Sequence, residues 1–287
     1  MKLFVIGNDG MLGQDMVRIA REAGHEVFGA TFPAIDITKP ESVREQMETE
    51  RPDAVINCAA YTAVDACETE RETAFAVNAT GAGIVAGCAE AIDIPVVHFS
   101  TDYVFDGKGT KPYVETDPTG PASVYGQSKL RGETLVQEKN TRAFILRIAW
   151  LYGTNGKNFV KTMRALGKKS VETGKPVRVV NDQFGSPTYT VDVCRQTLRL
   201  LSTSRYGLYH STNRGVCTWF DFAKEIMAAA GIPCIVEPST TVEFSRAYPQ
   251  SAPRPAWSVL ENRNLNAIGM NGMRPWKQAF EAFSAER

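Results

Sequence analysis

A charge imbalance is the first thing missing: the 287 residues carry 32 lysines and arginines against 32 aspartates and glutamates, for a net charge of zero. A chain built for a phosphate backbone or an anionic membrane surface needs an excess of one sign, so any anion bound here has to be bound locally. Histidine is scarce, with His25, His98 and His210 scattered singly, and the six cysteines form no CxxC pair. That argues against a metal centre, and the thiols read as reduced, mostly buried small side chains. No apolar run approaches the roughly 20 residues of a membrane span, and Met1-Lys2-Leu3-Phe4-Val5-Ile6-Gly7 reaches glycine too early for a secretory signal. Repeats, low-complexity tracts and like-charge runs are lacking too. The expectation is a cytoplasmic protein, monomer or homodimer, with no nucleic-acid or membrane partner.

What is present is an alternation. Short apolar runs suited to buried parallel strands (Leu3–Ile6, Glu26–Gly29, Ala54–Cys58, Val96–Ser100, Phe144–Ile148) alternate with segments of helical periodicity (Leu12–Ala20, Ser42–Met47, Glu70–Ala91, Val124–Val136). This predicts an α/β fold, a doubly wound parallel sheet of Rossmann type with helices on both faces. After about Trp150 the rhythm degrades into helices near Phe159–Leu166, Val191–Leu201 and Trp219–Ala230, a short strand Val177–Val180 and a proline-rich loop Tyr248–Pro255. The expected organisation is a dinucleotide-binding domain over residues 1–150. A smaller α+β, mainly substrate-binding region follows over 151–287, parts of which can return to the sheet.

Gly7-x-x-Gly10-x-x-Gly13 follows the first strand and opens the first helix. Glycines there permit a tight turn, close approach of backbone to a pyrophosphate, and close helix–sheet packing. The second strand ends in Gly29-Ala30-Thr31, with neither the acid that would hold a cofactor ribose nor an arginine for a 2′-phosphate. Asp36, with Ile37, comes slightly later and either reaches the adenine or caps the helix begun by Thr38-Lys39-Pro40. The cofactor is therefore NADH or NADPH, with the choice open.

Tyr125 and Lys129 stand at i and i+4 on a predicted helix, so both side chains share one face. An ammonium beside a phenol lowers its pKa toward the range useful for proton transfer, and this is the expected effect of Lys129 on Tyr125. Ser100-Thr101-Asp102 ends the fourth strand, where the crevice of a doubly wound sheet lies, so Thr101 can share a substrate oxygen with Tyr125.

With these motifs the chain resembles the extended short-chain dehydrogenase/reductases, specifically those acting on nucleotide sugars. Further matching runs are Arg51-Pro52-Asp53, Asn57-Cys58-Ala59-Ala60-Tyr61-Thr62-Ala63-Val64-Asp65, Val77-Asn78-Ala79, and Ser100-Thr101-Asp102-Tyr103-Val104-Phe105-Asp106-Gly107. They continue through Tyr125-Gly126-Gln127-Ser128-Lys129, Asn181-Asp182-Gln183-Phe184-Gly185-Ser186-Pro187-Thr188 and Arg254-Pro255. Tyr103 stands where the related dehydratases carry the glutamate that serves as their base.

The resemblance implies reduction of the C4 ketone of a dTDP-6-deoxy-L-hexulose. Tyr125 would give the proton, Lys129 would hold the nicotinamide ribose and tune Tyr125, and Thr101 would hydrogen-bond the reacting oxygen. Asp102 would bind the sugar. Gly10, Met11 and Leu12 would face the pyrophosphate, and Ala59, Ala60 and Tyr61 would line the ribose side. Trp150 matches a position where an aromatic packs on the sugar; a core tryptophan at the domain junction is the other reading. Arg254, between prolines, either clamps the substrate diphosphate or is a surface arginine on a turn. Asn78 matches a superfamily asparagine, while Gln183, Gly185 and Pro187 would shape a loop over the substrate. The departures are Cys58, where alanine is commoner, and Asn8-Asp9, which puts an acid near the phosphates and bears on cofactor preference. The competing functions are another nucleotide-sugar reductase or epimerase, and a catalytically silent cofactor-binding regulatory subunit.

Overall fold

The computed structural model describes residues 1–286. In its first half, β1 (Lys2–Ile6), α1 (Met11–Glu22), β2 (Glu26–Ala30), α2 (Pro40–Glu50) and β3 (Ala54–Asn57) alternate as the apolar runs predict. Then come α3 (Arg71–Phe75), a π-helical stretch over Ala76–Gly81, α4 (Ala82–Ala91), β4 (Val96–Thr101), α5 (Val124–Lys139) and β5 (Ala143–Ile148). The second half contributes β6 (Leu151–Tyr152), α6 (Phe159–Thr173), β7 (Val177–Val180), β8 (Phe184–Gly185), β9 (Thr188–Tyr189) and α7 (Thr190–Leu201). It ends with β10 (Gly207–His210), β11 (Cys217–Thr218), α8 (Trp219–Ala230), β12 (Val236–Ser239), α9 (Thr241–Ala247), α10 (Arg263–Ala267) and α11 (Trp276–Ala285).

Six strands form one parallel sheet in the order β10-β5-β4-β3-β1-β2. The direction of winding reverses between β1 and β3, and in such sheets the crevice outside the carboxyl ends at that point takes the ligand. Side-chain alternation sends Leu3 and Val5 into a cluster with Met16 and Ile19, and Phe4 and Ile6 into another with Val43, Met47 and Val85. Burial on both faces is why β1 shows as an unbroken apolar run, each fully buried residue contributing about 1.5–3 kcal/mol.

The edge strand β10 comes from the second half and pairs with β5, Leu208 against Ile145. The rest of that half builds three two-stranded sheets, β6 with β9, β7 with β12 and β8 with β11. The helix expected over Glu70–Ala91 starts at Arg71 and contains the π-helical stretch. Contrary to the sequence reading, the 21-residue run Arg71–Ala91 contains an 18-residue stretch apolar enough to cross a membrane by length and composition, but half of that stretch is buried. Its α4 part packs against α2 and α5.

Candidate active site

The glycine loop is built by two forbidden contacts. Gly7 has φ 76°, and a Cβ there would meet the Ala59 nitrogen at 2.8 Å; a Cβ on Gly13 would meet the Gly7 oxygen at 2.0 Å. The loop therefore lies tight on both α1 and the turn after β3, held by Gly7 N–H donating to Ala30 O and Cys58 N–H to Ile6 O. Gly10 is the N-cap of α1 and offers no side-chain cap, so the first-turn amides of Met11 and Leu12 have no side-chain partner and border the crevice. Such a cradle fits a pyrophosphate at a helix N-terminus.

Two adjoining cavities follow. One, of about 280 Å³, is lined by Gly7, Asp9, Gly10, Thr31, Asp36, Ile37, Ala59 and Ala60, among others. Asp36 does not cap α2: its Oδ1 accepts from Thr38 N and Oγ1 in a local turn, and the hydrogen bond to Thr38 holds its carboxyl below the usual range. The second cavity, about 570 Å³, shares Gly10 and Ala60 and brings together Met11, Leu12, Gly13, Thr101, Asp102, Tyr125, Lys129 and Trp150. Tyr61 lines neither; its hydroxyl donates to Glu70 at 2.6 Å. Its backbone is fixed by Asn78, whose Oδ1 accepts from Tyr61 N and whose Nδ2 donates to Tyr61 O and Ser128 Oγ.

Tyr125 and Lys129 are placed by helix α5, whose N-cap Ser123 accepts from Gly126 N, a contact worth about 1 kcal/mol. Two glycines let the helix press against its neighbours: a Cβ at Gly126 would sit 2.2 Å from Tyr103 O, and one at Gly132 2.2 Å from Asn78 O. The Tyr125 ring meets Tyr103 edge-on at 5.6 Å. Burial, and after it the Asp102 carboxyl, push the Tyr125 phenol up, while a hydrogen bond with Thr101 opposes them. This corrects the expectation that Lys129 lowers it. The ammonium donates instead to Phe99 O at 2.5 Å and lies 3.4 Å from His98 Nε2. Burial lowers Lys129 to about 8, with Glu133 pulling the other way. Glu133 itself forms a buried bidentate pair with Arg147.

Thr101 donates to Asp102 Oδ1 at 2.9 Å and accepts from Tyr103 N. Asp102 is buried with no well-formed hydrogen bond to Oδ2, and burial lifts its carboxyl to about 6 despite the Thr101 and Ser258 hydroxyls beside it. Trp150 has φ 48°, rare for a bulky residue, and is held by its Nε1–H to Ser258 and by stacking on Trp219 at 3.5 Å. Gly185 makes room for it, since a Cβ there would fall 2.2 Å from the indole. Arg254 lies in a separate cavity of about 230 Å³ beside Tyr103, paired to Asp65 at 2.8 Å. Sequence reasoning missed His98, Trp219 and Ser258; none sits in a spacing that marks it, and only folding sets them behind the crevice, His98 against Lys129 and both Trp219 and Ser258 against Trp150.

Comparison with known proteins bears on this arrangement. The family described as RmlD substrate binding domain matches residues 1–287. The chain is 42% identical over 286 residues to the spore coat polysaccharide biosynthesis protein SpsK of Bacillus subtilis, covering 100% of this chain and 98% of that one. It is 39% identical to the dTDP-4-dehydrorhamnose reductase of Streptomyces griseus, over 98% of this chain and 92% of that protein. The crystal structure of dTDP-4-dehydrorhamnose reductase from Bacillus anthracis in complex with NADP superposes with a TM-score of 0.94 at 37% identity, covering 100% of this chain and 99% of that one.

Proposed function

The chain belongs to the RmlD substrate-binding-domain family, and from that premise we propose that it reduces the C4 ketone of dTDP-4-dehydro-L-rhamnose, giving dTDP-L-rhamnose with NADH or NADPH as the reductant. One observation carries the reading: Tyr125, Thr101 and Asp102 border the same crevice as the helix N-terminus that fits a pyrophosphate.

When bound, the reduced nicotinamide supplies the hydride that adds to C4. The protein has to position the ketone and provide a proton. A phenol raised by burial keeps its proton at neutral pH, so Tyr125 is in the donating form and protonates the oxygen as negative charge develops on it. Lys129, which lines the same crevice, is proposed to hold ribose hydroxyls of the cofactor. Asp102 Oδ2, buried with no well-formed hydrogen bond, gains one when a sugar hydroxyl donates to it, which offsets the desolvation it carries in the free protein. Trp150 offers a flat apolar face suited to a deoxy sugar with a C6 methyl. Arg254 is proposed to meet the substrate diphosphate by exchanging Asp65 for it.

The test is a coupled assay in which the 4-keto-L-sugar nucleotide is generated in place and consumption of each reduced nicotinamide is followed. Oxidation that depends on that substrate supports the reading. Cofactor binding without consumption, across a panel of keto-sugar nucleotides, overturns it.

A further inference from the structure

The adenosine end of a dinucleotide groove lies where the second strand ends, and there the acid noted at Asp9 takes a definite position. The strand closes on Gly29-Ala30-Thr31, with no acid of its own. Gly29 leaves its upper face bare, and the Asn8 side chain lies across it: a Cβ on Gly29 would fall 2.7 Å from Asn8 Nδ2. With Asn8 seated on the strand, the next residue is carried over the strand end, and Thr31 Oγ1 donates to Asp9 Oδ1 at 2.6 Å. Gln14 Nε2 fixes the same residue through its backbone oxygen, also at 2.6 Å. The glycine loop thus delivers a carboxylate to the place where a dinucleotide-binding sheet ordinarily carries one on the strand itself.

The surroundings make that charge decisive. The cavity of about 280 Å³ is lined by two acids, Asp9 and Asp36, and by no lysine or arginine. The lysine on the neighbouring turn, Lys39, is mostly exposed and lies 3.6 Å from Asp36 Oδ2. A ribose 2′-hydroxyl can donate to Asp9 Oδ2, which Thr31 does not use. A 2′-phosphate would meet a fixed negative charge with no cation lining the cavity to offset it.

We infer that this chain selects NADH over NADPH, with Asp9, held by Thr31, as the residue that discriminates. This rests on the reductase reading and deepens it. Asp9 is exposed, so its repulsion of a 2′-phosphate is screened by water and amounts to a preference of about tenfold.

The experiment is equilibrium binding to the full chain, titrating NADH and NADPH separately by calorimetry and by quenching of tryptophan fluorescence, with no substrate present. NADH is expected to bind about tenfold tighter, and the gap is expected to narrow as salt is raised, because the discrimination is electrostatic. Asp9→Asn keeps an acceptor for Thr31 but removes both the charge and the second acceptor oxygen; it should tighten NADPH binding and weaken NADH binding, so that the ratio of the two dissociation constants collapses. Equal dissociation constants in the unaltered protein overturn the inference, as does an Asp9→Asn variant with an unchanged ratio. If that variant fails to fold, the salt dependence of the unaltered protein decides instead, a gap indifferent to salt being the overturning result. Equal, tight binding of both nucleotides removes only this selectivity. Binding of neither removes the reductase reading with it.

Discussion

Lys129 and His98 meet in the interior, the ammonium 3.4 Å from the imidazole Nε2, with the Phe99 carbonyl taking a second hydrogen bond. Burial, then the neighbouring ammonium, hold His98 well below its usual pKa, so the ring stays neutral, and in the tautomer protonated on Nδ1 its Nε2 accepts from Lys129. Lys129 is lowered to about 8 by burial, with Glu133 pulling the other way, and an acceptor in contact with its ammonium favours the charged form further. Replacing His98 with leucine removes one, and a hydrogen bond to a charged group is worth about 1.5–3 kcal/mol, or about one to two pH units. The Lys129 midpoint, followed by NMR of ¹³C-labelled lysine, should lie near 8 in the unaltered protein and fall in His98→Leu. A midpoint near the ordinary lysine value in both would show that the imidazole does not set it.

Tyr125→Phe removes the proton donor and no proposed cofactor contact of comparable weight. kcat should drop about a hundredfold to ten-thousandfold, while the NADH dissociation constant moves little. Stopped-flow turnover alongside fluorescence titration separates the two. Turnover largely intact in the variant would assign the proton to another group.

Asp102 supplies a pH dependence with a definite sign. Its carboxyl is raised by burial from an ordinary 3.8 to about 6, so it is neutral below that pH and charged above it. If the carboxylate accepts a sugar hydroxyl, kcat/KM rises through an apparent pKa of about 6, and Asp102→Asn abolishes that limb. Stability runs the other way: a folded pKa above the unfolded one favours folding at low pH, and this contribution is lost as pH rises through about 6. The asparagine variant, never charged, should therefore gain in thermal stability relative to the unaltered protein on going from pH ~5 to pH ~8. No relative gain would mean that the carboxyl is not desolvated.

The sheet, the glycine loop, and Tyr125 with Lys129 on one helix were all legible in the sequence, because each is written in local spacing: apolar runs for strands buried on both faces, i/i+4 for a helix face. Spacing says which way a side chain starts out, and nothing about where a long one ends. Hence Lys129 was expected beside the phenol, whereas its ammonium donates to a backbone carbonyl next to His98. Partners far apart in sequence were invisible for the same reason. Arg254 finds Asp65 across 189 positions, and Asp9 finds Thr31 only because Gly29 lets Asn8 lie flat on the strand. β10, four residues long, joins β5 from the second half of the chain and carries no local mark of that pairing.

The three loop glycines look equivalent in sequence and are not equivalent in the fold, which makes Gly10 and Gly13 a matched pair of tests. A methyl at Gly13 would press on a backbone atom, Gly7 O, at 2.0 Å, and backbone cannot rotate aside. Overpacking of that kind costs about 1–3 kcal/mol, so Gly13→Ala should lower the melting temperature by several degrees and weaken the cofactor site with it. Gly10 has φ −70°, which any residue adopts, and a methyl there finds only an ordinary 3.4 Å contact. It borders both cavities of the crevice, so Gly10→Ala should leave the melting temperature nearly unchanged while loosening NADH binding. Differential scanning calorimetry with nucleotide titration reads both effects. Equal thermal losses in the two variants would mean that the α1–loop contact is not what fixes the cradle.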